Sequence, residues 1–312
     1  MTPAQTTRLA PSPTGALHLG NARTFLVNWA MARQAGWRVV LRIEDLDTPR
    51  VKADAMAHAV ADLGWLGLDW DAGPFTQAAD LSPYWSAVRE LAADGHVCRC
   101  TCTRRDMEQA ASAPHAGEAE RRYPGTCRPR RWEGEAPDGA ALRLRVPDGV
   151  LHFDDTAAGP QAFDVQGTTG DFVIWTKAGV PAYQLAVVVD DARQGVTQIV
   201  RGDDLLPSTA RQLWLYRMLQ LTPLPTYTHL PLVVGPDGRR LAKRHGDSRL
   251  AWYRDQGVAA ERVIALLARW CGIPDAGDAM TAATFARRFD RARMPRTPAV
   301  FTPEDHQWLL KA

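Results

Sequence analysis

Four segments at the start of the chain leave few folds open: an extended run from Thr7 to Ala10, the turn-rich PSPTG, the segment NARTFLVNWAMARQ, and the β-branched run WRVVLRIEDLD. The third has apolar residues at helical spacing and runs up to Gly36, a natural helix stop because glycine enters the left-handed conformation without steric cost. Strand, glycine-containing loop, helix and strand in that order make a βαβ unit. Such a unit implies a parallel sheet that binds ligands at the carboxyl ends of its strands. The expected fold is therefore α/β with a Rossmann-type start. A dinucleotide fingerprint is excluded, because no GxGxxG follows the first strand and PSPTGALHLG spaces its glycines differently.

Further along, helical patterns are expected at Lys52–Leu66 and Pro83–Asp94. Residues 96–170 then change texture, rich in Gly, Pro and Arg with short alternations such as ALRLRV, and read as an inserted, partly β domain. PAYQLAVVVDDARQGVTQIVRGDDLL returns to the continuous apolar character of buried parallel strands, with acids at strand ends. Helical patterns resume at 208–220 and at 258–270, the latter ending in Cys271-Gly272, before a basic, proline-containing tail from Thr281. At 312 residues a single core stops growing, so one large domain with an insertion is expected. The division is 1–95 and 181–250 for the two halves of the α/β domain, 96–180 for the insertion and 251–312 for a short helical extension.

With 46% hydrophobic residues and 5 cysteines, disorder, collagen and a disulfide scaffold are excluded. No apolar run approaches eighteen residues, and the N-terminus lacks the charged-then-apolar pattern of a signal peptide. A soluble, cytoplasmic, monomeric protein with no membrane partner is expected. The net charge of +2 says little, but residues 99–131 hold eight Arg against four acids, and residues 285–298 hold five Arg against one Asp. Such stretches suit phosphate backbones, or else form solvated faces.

Two motifs suggest a nucleotide. His18 and Gly20 fall where the first strand hands over to a helix, whose N-terminus offers N–H groups and a positive dipole end to a phosphate, with Gly15 and Gly20 permitting close approach. RRLAKRHGD follows the strand and turn PLVVGPDG, and its Lys243 is one of only four lysines against 33 arginines. A compact ammonium fits a phosphoryl group that shifts during reaction. Taken singly, His18 reads more readily as a surface histidine and Lys243 as a solvated loop cation than as ligands. A third motif is the cysteine pattern: Cys100-Thr-Cys102 and a later Tyr123-x-x-x-Cys127 bracket the arginine-rich stretch. In a cytosolic protein this spacing suits zinc better than a disulfide, with Cys98, His96 and His115 as competing ligands.

Together these segments resemble class I aminoacyl-tRNA synthetases, specifically the glutamyl branch. The resemblance lies in APSPTGALHLGNAR, LRIEDLDTPR, AYQLAVVVDD, VRGDDLL and PAVF, and covers essentially the whole chain. His18-Leu19-Gly20-Asn21 matches the HIGH signature. Arg240-Leu241-Ala242-Lys243-Arg244 matches KMSKS, departing from it at Arg240, Ala242 and Arg244 but keeping the central lysine as Lys243. The fold implied is a class I synthetase catalytic domain with an inserted zinc-binding α+β domain and a short helical C-terminal extension. The short chain and the cysteine pattern are similar to the glutamyl-Q tRNA(Asp) synthetases, which lack an anticodon-binding domain. In that family the CxC pair with a later Tyr and Cys holds one structural zinc, and the matching positions are Cys100, Cys102, Tyr123 and Cys127.

The resemblance further implies ATP-dependent activation of L-glutamate without tRNA, with Mg2+ accompanying ATP, followed by transfer to the queuosine base in the anticodon of tRNA(Asp). ATP would meet His18, Gly20 and Lys243, with His18 and Lys243 catalytic. Glutamate would meet Arg8, Leu9, Ala10, Pro11, Ser12, Glu44, Tyr183 and Arg201. An arginine fork binds a γ-carboxylate bidentately and opposes the amide of glutamine. The other reading of Glu44, Arg201 and Asp203 is an ion-pair network at strand ends. Two alternatives stay open: a minimal conventional glutamyl-tRNA synthetase, and a catalytically silent paralogue that binds tRNA or ATP.

Overall fold

The computed structural model describes residues 5–13, 15–46, 54–103, 106, 122–134, 139–239, 241 and 247–311. In chain order its elements begin with β1 (Thr6–Leu9), α1 (Leu19–Ala35), β2 (Arg38–Ile43), α2 (Ala55–Trp65), β3 (Ala72–Thr76) and α3 (Ser82–Ala93). There follow β4 (Val97–Cys100), β5 (Ala141–Leu144), β6 (Leu151–Asp155), β7 (Gly159–Phe163), α4 (Val165–Thr168) and β8 (Val173–Trp175). The remainder comprises α5 (Tyr183–Arg193), β9 (Gln198–Gly202), α6 (Leu206–Met218), β10 (Thr226–Leu230), β11 (Val233–Val234), α7 (Leu250–Asp255), α8 (Ala260–Trp270), α9 (Ala282–Arg288), β12 (Ala299–Val300) and α10 (Pro303–Leu310).

The opening βαβ unit forms as its sequence dictates. β1 and β2 pair in parallel, Thr6 opposite Arg38 and Leu9 opposite Leu41, and Gly36 ends α1 at φ +67°. β3 joins the far edge of β2, also in parallel. On the other side of β1, the Thr197 amide donates to the Thr6 carbonyl at 2.9 Å, which sets β9 against β1, with β10 parallel beyond it. The resulting order β3-β2-β1-β9-β10 reverses direction of travel at β1, and a ligand crevice opens at such a switch point.

One expected strand is a helix. AYQLAVVVDD forms most of α5, with every residue from Gln184 to Asp191 buried. A continuously apolar run has no polar face to reveal its period, so a buried helix and a buried strand read alike. Only QIVRG, after it, is the strand β9. The short helix α7 falls in a stretch with no expected element.

The segment 96–180 is less separate than its sequence texture suggests. β4, β5 and β8 form their own antiparallel sheet, but the β6–β7 hairpin joins the main sheet through Tyr227 opposite Asp155. Trp132, Phe172 and Trp175 share a core with Tyr84 of α3, Leu185 and Val188 of α5, and Leu213 and Tyr216 of α6. Residues 251–311 are likewise tied to both halves of the α/β domain. Gln34 of α1 donates to the carbonyls of Ala286 (2.6 Å) and Phe289 (2.7 Å), and β12 pairs with β11. Among the described residues, no helix is long and apolar enough to cross a membrane.

Candidate active site and thiol cluster

A cavity of about 290 Å3 opens at the carboxyl ends of β1, β2 and β9, beside the start of α1. The structure brings Arg8, Ala10, Ser12, His18, Gly20, Glu44, Tyr183 and Arg201 to its wall. Leu9 is fully buried in the core, and Pro11 is buried with its carbonyl accepting the Glu44 amide at 3.1 Å. Neither side chain lines the cavity. Leu241 is buried, whereas Arg240, Ala242, Lys243 and Arg244 lie outside the described residues.

The cations around this cavity are not equivalent. Arg8 donates through Nε to Asp191 at 3.2 Å, and Arg42 donates to the same Oδ1 at 2.7 Å, so one carboxylate of α5 anchors arginines from both β1 and β2. Arg42 also lies 3.5 Å from Glu44, whose carboxyl is pushed up by burial despite the opposing pull of Arg42 and Arg8. Arg201 differs. Its Nε donates to His229 at 3.0 Å and its Nη2 to the Thr209 hydroxyl at 2.7 Å, while Nη1 is buried without a partner. It forms no ion pair among the described residues. Glu44 thus takes part in an ion-pair network and Arg201 does not. A buried guanidinium with an unmatched charge and an orphan donor on a cavity wall calls for an anionic ligand.

His18 is the N-cap of α1. Its Nδ1 accepts from the amides of Gly20 (3.1 Å) and Asn21 (3.4 Å), and Asn21 Oδ1 accepts the His18 amide at 3.2 Å, completing a capping box. The sequence expects those N–H groups to face a phosphate, yet the imidazole itself takes them. With Nδ1 accepting, a neutral ring carries its proton on Nε2 and presents it as a donor. Gly20 is needed here for the ring, since a Cβ would stand 2.9 Å from His18 Cε1, while Gly15 faces open space. Gly20→Ala should therefore displace the imidazole and cost about 0.5–2 kcal/mol, the usual loss of an N-cap. Denaturant unfolding would measure this, and an unchanged midpoint would show that the ring turns aside freely.

The cysteine pattern converges as well. The Sγ atoms of Cys100, Cys102 and Cys127 all lie within 4.8 Å of one another, and Cys102 and Cys127 are 3.5 Å apart. Tetrahedral zinc with bonds near 2.3 Å separates its sulfurs by about 3.8 Å, so the group is close to ligand spacing. The Tyr123 hydroxyl lies 3.7 Å from Cys100 Sγ and accepts the Cys127 amide at 2.8 Å. The Tyr123 backbone is pinned at Gly170, where φ is +73° and a Cβ would meet the Tyr123 carbonyl at 2.5 Å. Lys177 holds the CxC loop through the carbonyls of Thr101 and Cys102. Burial resists ionisation of Cys127, but hydrogen bonds from Tyr123, Thr101 and the neighbouring thiols bring it down to about 7. Burial and the neighbouring thiols raise Cys102 to about 11. Cys98 and His96 stand outside the group, and His115 lies outside the described residues.

Sequence reasoning missed Asp191, Thr209, His229 and Asp155, which orient the cavity's arginines from behind. The acid pair at the end of AVVVDD is visible in the sequence, but its aim toward β1 and β2 follows from α5 being helical.

The family described as tRNA synthetases class I (E and Q), catalytic domain, matches residues 5–308, and the chain belongs to that family. Among curated relatives, the chain is 47% identical to a protein named Glutamyl-Q tRNA(Asp) synthetase from Symbiobacterium thermophilum, covering 93% of this chain and 94% of that one. A protein of the same name from Rhodopirellula baltica is 46% identical over 94% of this chain and 95% of its own length. The Glutamate--tRNA ligase of Nitratidesulfovibrio vulgaris is 38% identical and is matched over 65% of its length. Among solved structures, a glutamate tRNA ligase from Elizabethkingia meningosepticum superposes with a TM-score of 0.81 at 24% identity, covering 98% of this chain and 68% of that one. That likeness establishes the class I catalytic fold.

Proposed function

We propose that this protein activates L-glutamate with ATP, without tRNA, and transfers the glutamyl group to the queuosine base of the tRNA(Asp) anticodon. The observation that carries the reading is the cavity wall itself, where a buried Arg201, with no ion-pair partner among the described residues, stands in one pocket with Glu44 and the His18 end of α1. Arg201 binds the γ-carboxylate and Glu44 accepts from the substrate ammonium, with Arg8, Tyr183, Ser12 and the backbone from Leu9 to Pro11 completing the amino-acid site. The names of the relatives at 46–47% identity support the same reading.

The first step is attack of the substrate α-carboxylate on the α-phosphorus of ATP, which gives glutamyl-adenylate and pyrophosphate. A carboxylate is already a nucleophile and needs no base. The protein's task is then to position the reactants and stabilise charge, through the start of α1, the His18 donor and Lys243, with Mg2+ accompanying ATP. In the second step a queuosine hydroxyl attacks the adenylate carbonyl. The basic stretches 99–131 and 285–298 hold the RNA by phosphate contacts. Cys100, Cys102, Cys127 and Tyr123 suit one structural zinc, which when bound ties the CxC loop to the segment around Tyr123. Residues 1–95 and 181–250 supply the catalytic halves, 96–180 the thiol site and 251–312 an RNA-facing extension.

ATP–pyrophosphate exchange across a panel of amino acids, with no RNA present, tests the first step, and glutamate retention by queuosine-containing tRNA(Asp) tests the second. Charging of tRNA(Glu) at its terminal adenosine would replace the proposal with a conventional synthetase. A folded, ATP-binding sample without exchange would indicate a silent paralogue. Lys243→Ala is expected to slow exchange by about one to three orders of magnitude, the scale of a lost electrostatic contact to a transition state. An unchanged rate would remove Lys243 from the mechanism.

A further inference from the structure

We propose that His229, held by Asp155 as a neutral imidazole with its proton on Nδ1, is the positioning residue that aims Arg201 into the cavity and makes it select a carboxylate. The proposal rests on the glutamate-activating reading of that cavity.

The hydrogen bonds leave one arrangement of protons. A guanidinium has only donors, so the 3.0 Å contact from Arg201 Nε requires a lone pair on His229 Nε2. The ring proton is therefore on Nδ1, 2.6 Å from Asp155 Oδ2. Asp155 is held in turn by the amides of Ala157 (2.9 Å), Ala158 (2.8 Å) and His229 (3.1 Å). The side chains of His229 and Asp155 are wholly buried. The Tyr227 ring lies nearly parallel to the imidazole, at 9° and 6.1 Å between centroids. The relay runs across the sheet, from β6 through β10 to β9.

Its electrostatic consequence is specific. Arg8 and Arg42 share the charge of Asp191, whereas the partners of Arg201 are a neutral imidazole, a hydroxyl and the face of the Tyr227 ring, 5.4 Å from its guanidinium carbon. Asp155 is kept one imidazole away, where it fixes the tautomer without pairing with the guanidinium. Arg201 thus keeps its full charge for the ligand, and two of its three nitrogens are tethered, leaving Nη1 as a buried donor without a hydrogen-bond partner. An amide oxygen can also accept from that donor, but only a carboxylate neutralises the buried guanidinium, so glutamate is preferred to glutamine.

Two variants and one spectrum test this. His229→Leu removes the acceptor and frees the fork. We expect the KM for glutamate in the exchange assay to rise about 10- to 100-fold, the usual cost of losing a positioning partner, with the KM for ATP little changed. Preference for glutamate over glutamine should fall by a similar factor. His229→Gln restores an acceptor near the Nε2 position and should recover most of the loss. Equal effects of the two variants, or parallel changes in both KM values, would overturn the assignment. Should the leucine variant not fold, a glutamine variant with glutamate KM as poor as that expected for leucine would overturn it. Independently, nitrogen-15 NMR of labelled histidine should find the His229 proton on Nδ1 at neutral pH, and a proton on Nε2 would refute the relay. If the wild-type protein shows no glutamate-dependent exchange while the spectrum is as expected, the functional reading fails and the relay stands.

Discussion

Arg201→Leu is expected to lower kcat/KM for glutamate in ATP–pyrophosphate exchange by about 30- to 5,000-fold, corresponding to the roughly 2–5 kcal/mol lost when one partner of a buried, hydrogen-bonded charge pair is removed. The large value follows from burial: the substrate carboxylate would enter a wall that still excludes water but no longer offers a cation. The loss should concentrate in the glutamate KM and spare the ATP KM, because Arg201 stands at the end of β9 with His229 and Thr209, while His18 and Gly20, proposed for ATP, stand at the start of α1. Arg201→Lys should recover little, since an ammonium cannot tether to both His229 and Thr209 and still reach the ligand. Steady-state exchange over a glutamate series checks this. A variant within threefold of wild type would mean the carboxylate is bound elsewhere, with Arg8 the next residue to test.

Removing a metal ligand should act on a different property. Cys102→Ser is expected to weaken zinc at least about 100-fold, beyond the loss seen when supporting groups of a metal site are altered. Structural zinc contributes on the order of 10 kcal/mol to small peptide folds, so the variant should also melt well below wild type. The effect should reach past the thiols, because β4 leads directly into the CxC loop and is packed in the core that β5, β8, α5 and α6 share. Metal analysis and thermal unfolding read the two consequences. Tyr123→Phe separates the phenol from the sulfurs: an oxygen that ligates should cost a similar loss of affinity, whereas one that only accepts the Cys127 amide should leave metal content unchanged. Stoichiometric zinc in Cys102→Ser would refute the ligand set.

The parts legible in the sequence are those set by local chemistry. The βαβ opening, the helix stop at Gly36 and the Cys-x-Cys pattern each depend on neighbours a few residues away, and each has its physical counterpart in the structure. Convergence over long separations was not legible. Asp191 meets Arg8 from 183 residues away and Asp155 meets His229 from 74 residues away, so no spacing rule connects them. α5 was misread because its apolar run is buried on every side, and that error also hid the aim of Asp190 and Asp191. Gly20 shows the same limit: its sequence position suggests close approach by a nucleotide, and the structure adds that the His18 ring, two residues before it, also needs the space a Cβ would take.

The packing of α1 bears on how the chain reaches this state during synthesis. Arg23 of α1 is bound by the carbonyls of Pro231 and Trp270, and Gln34 by those of Ala286 and Phe289, so the helix that carries His18 finds its covering partners more than two hundred residues downstream. Contacts of such separation form late, after the entropy of closing a long loop has been met. On the ribosome the first βαβ unit therefore emerges with one flank of α1 uncovered until those segments follow.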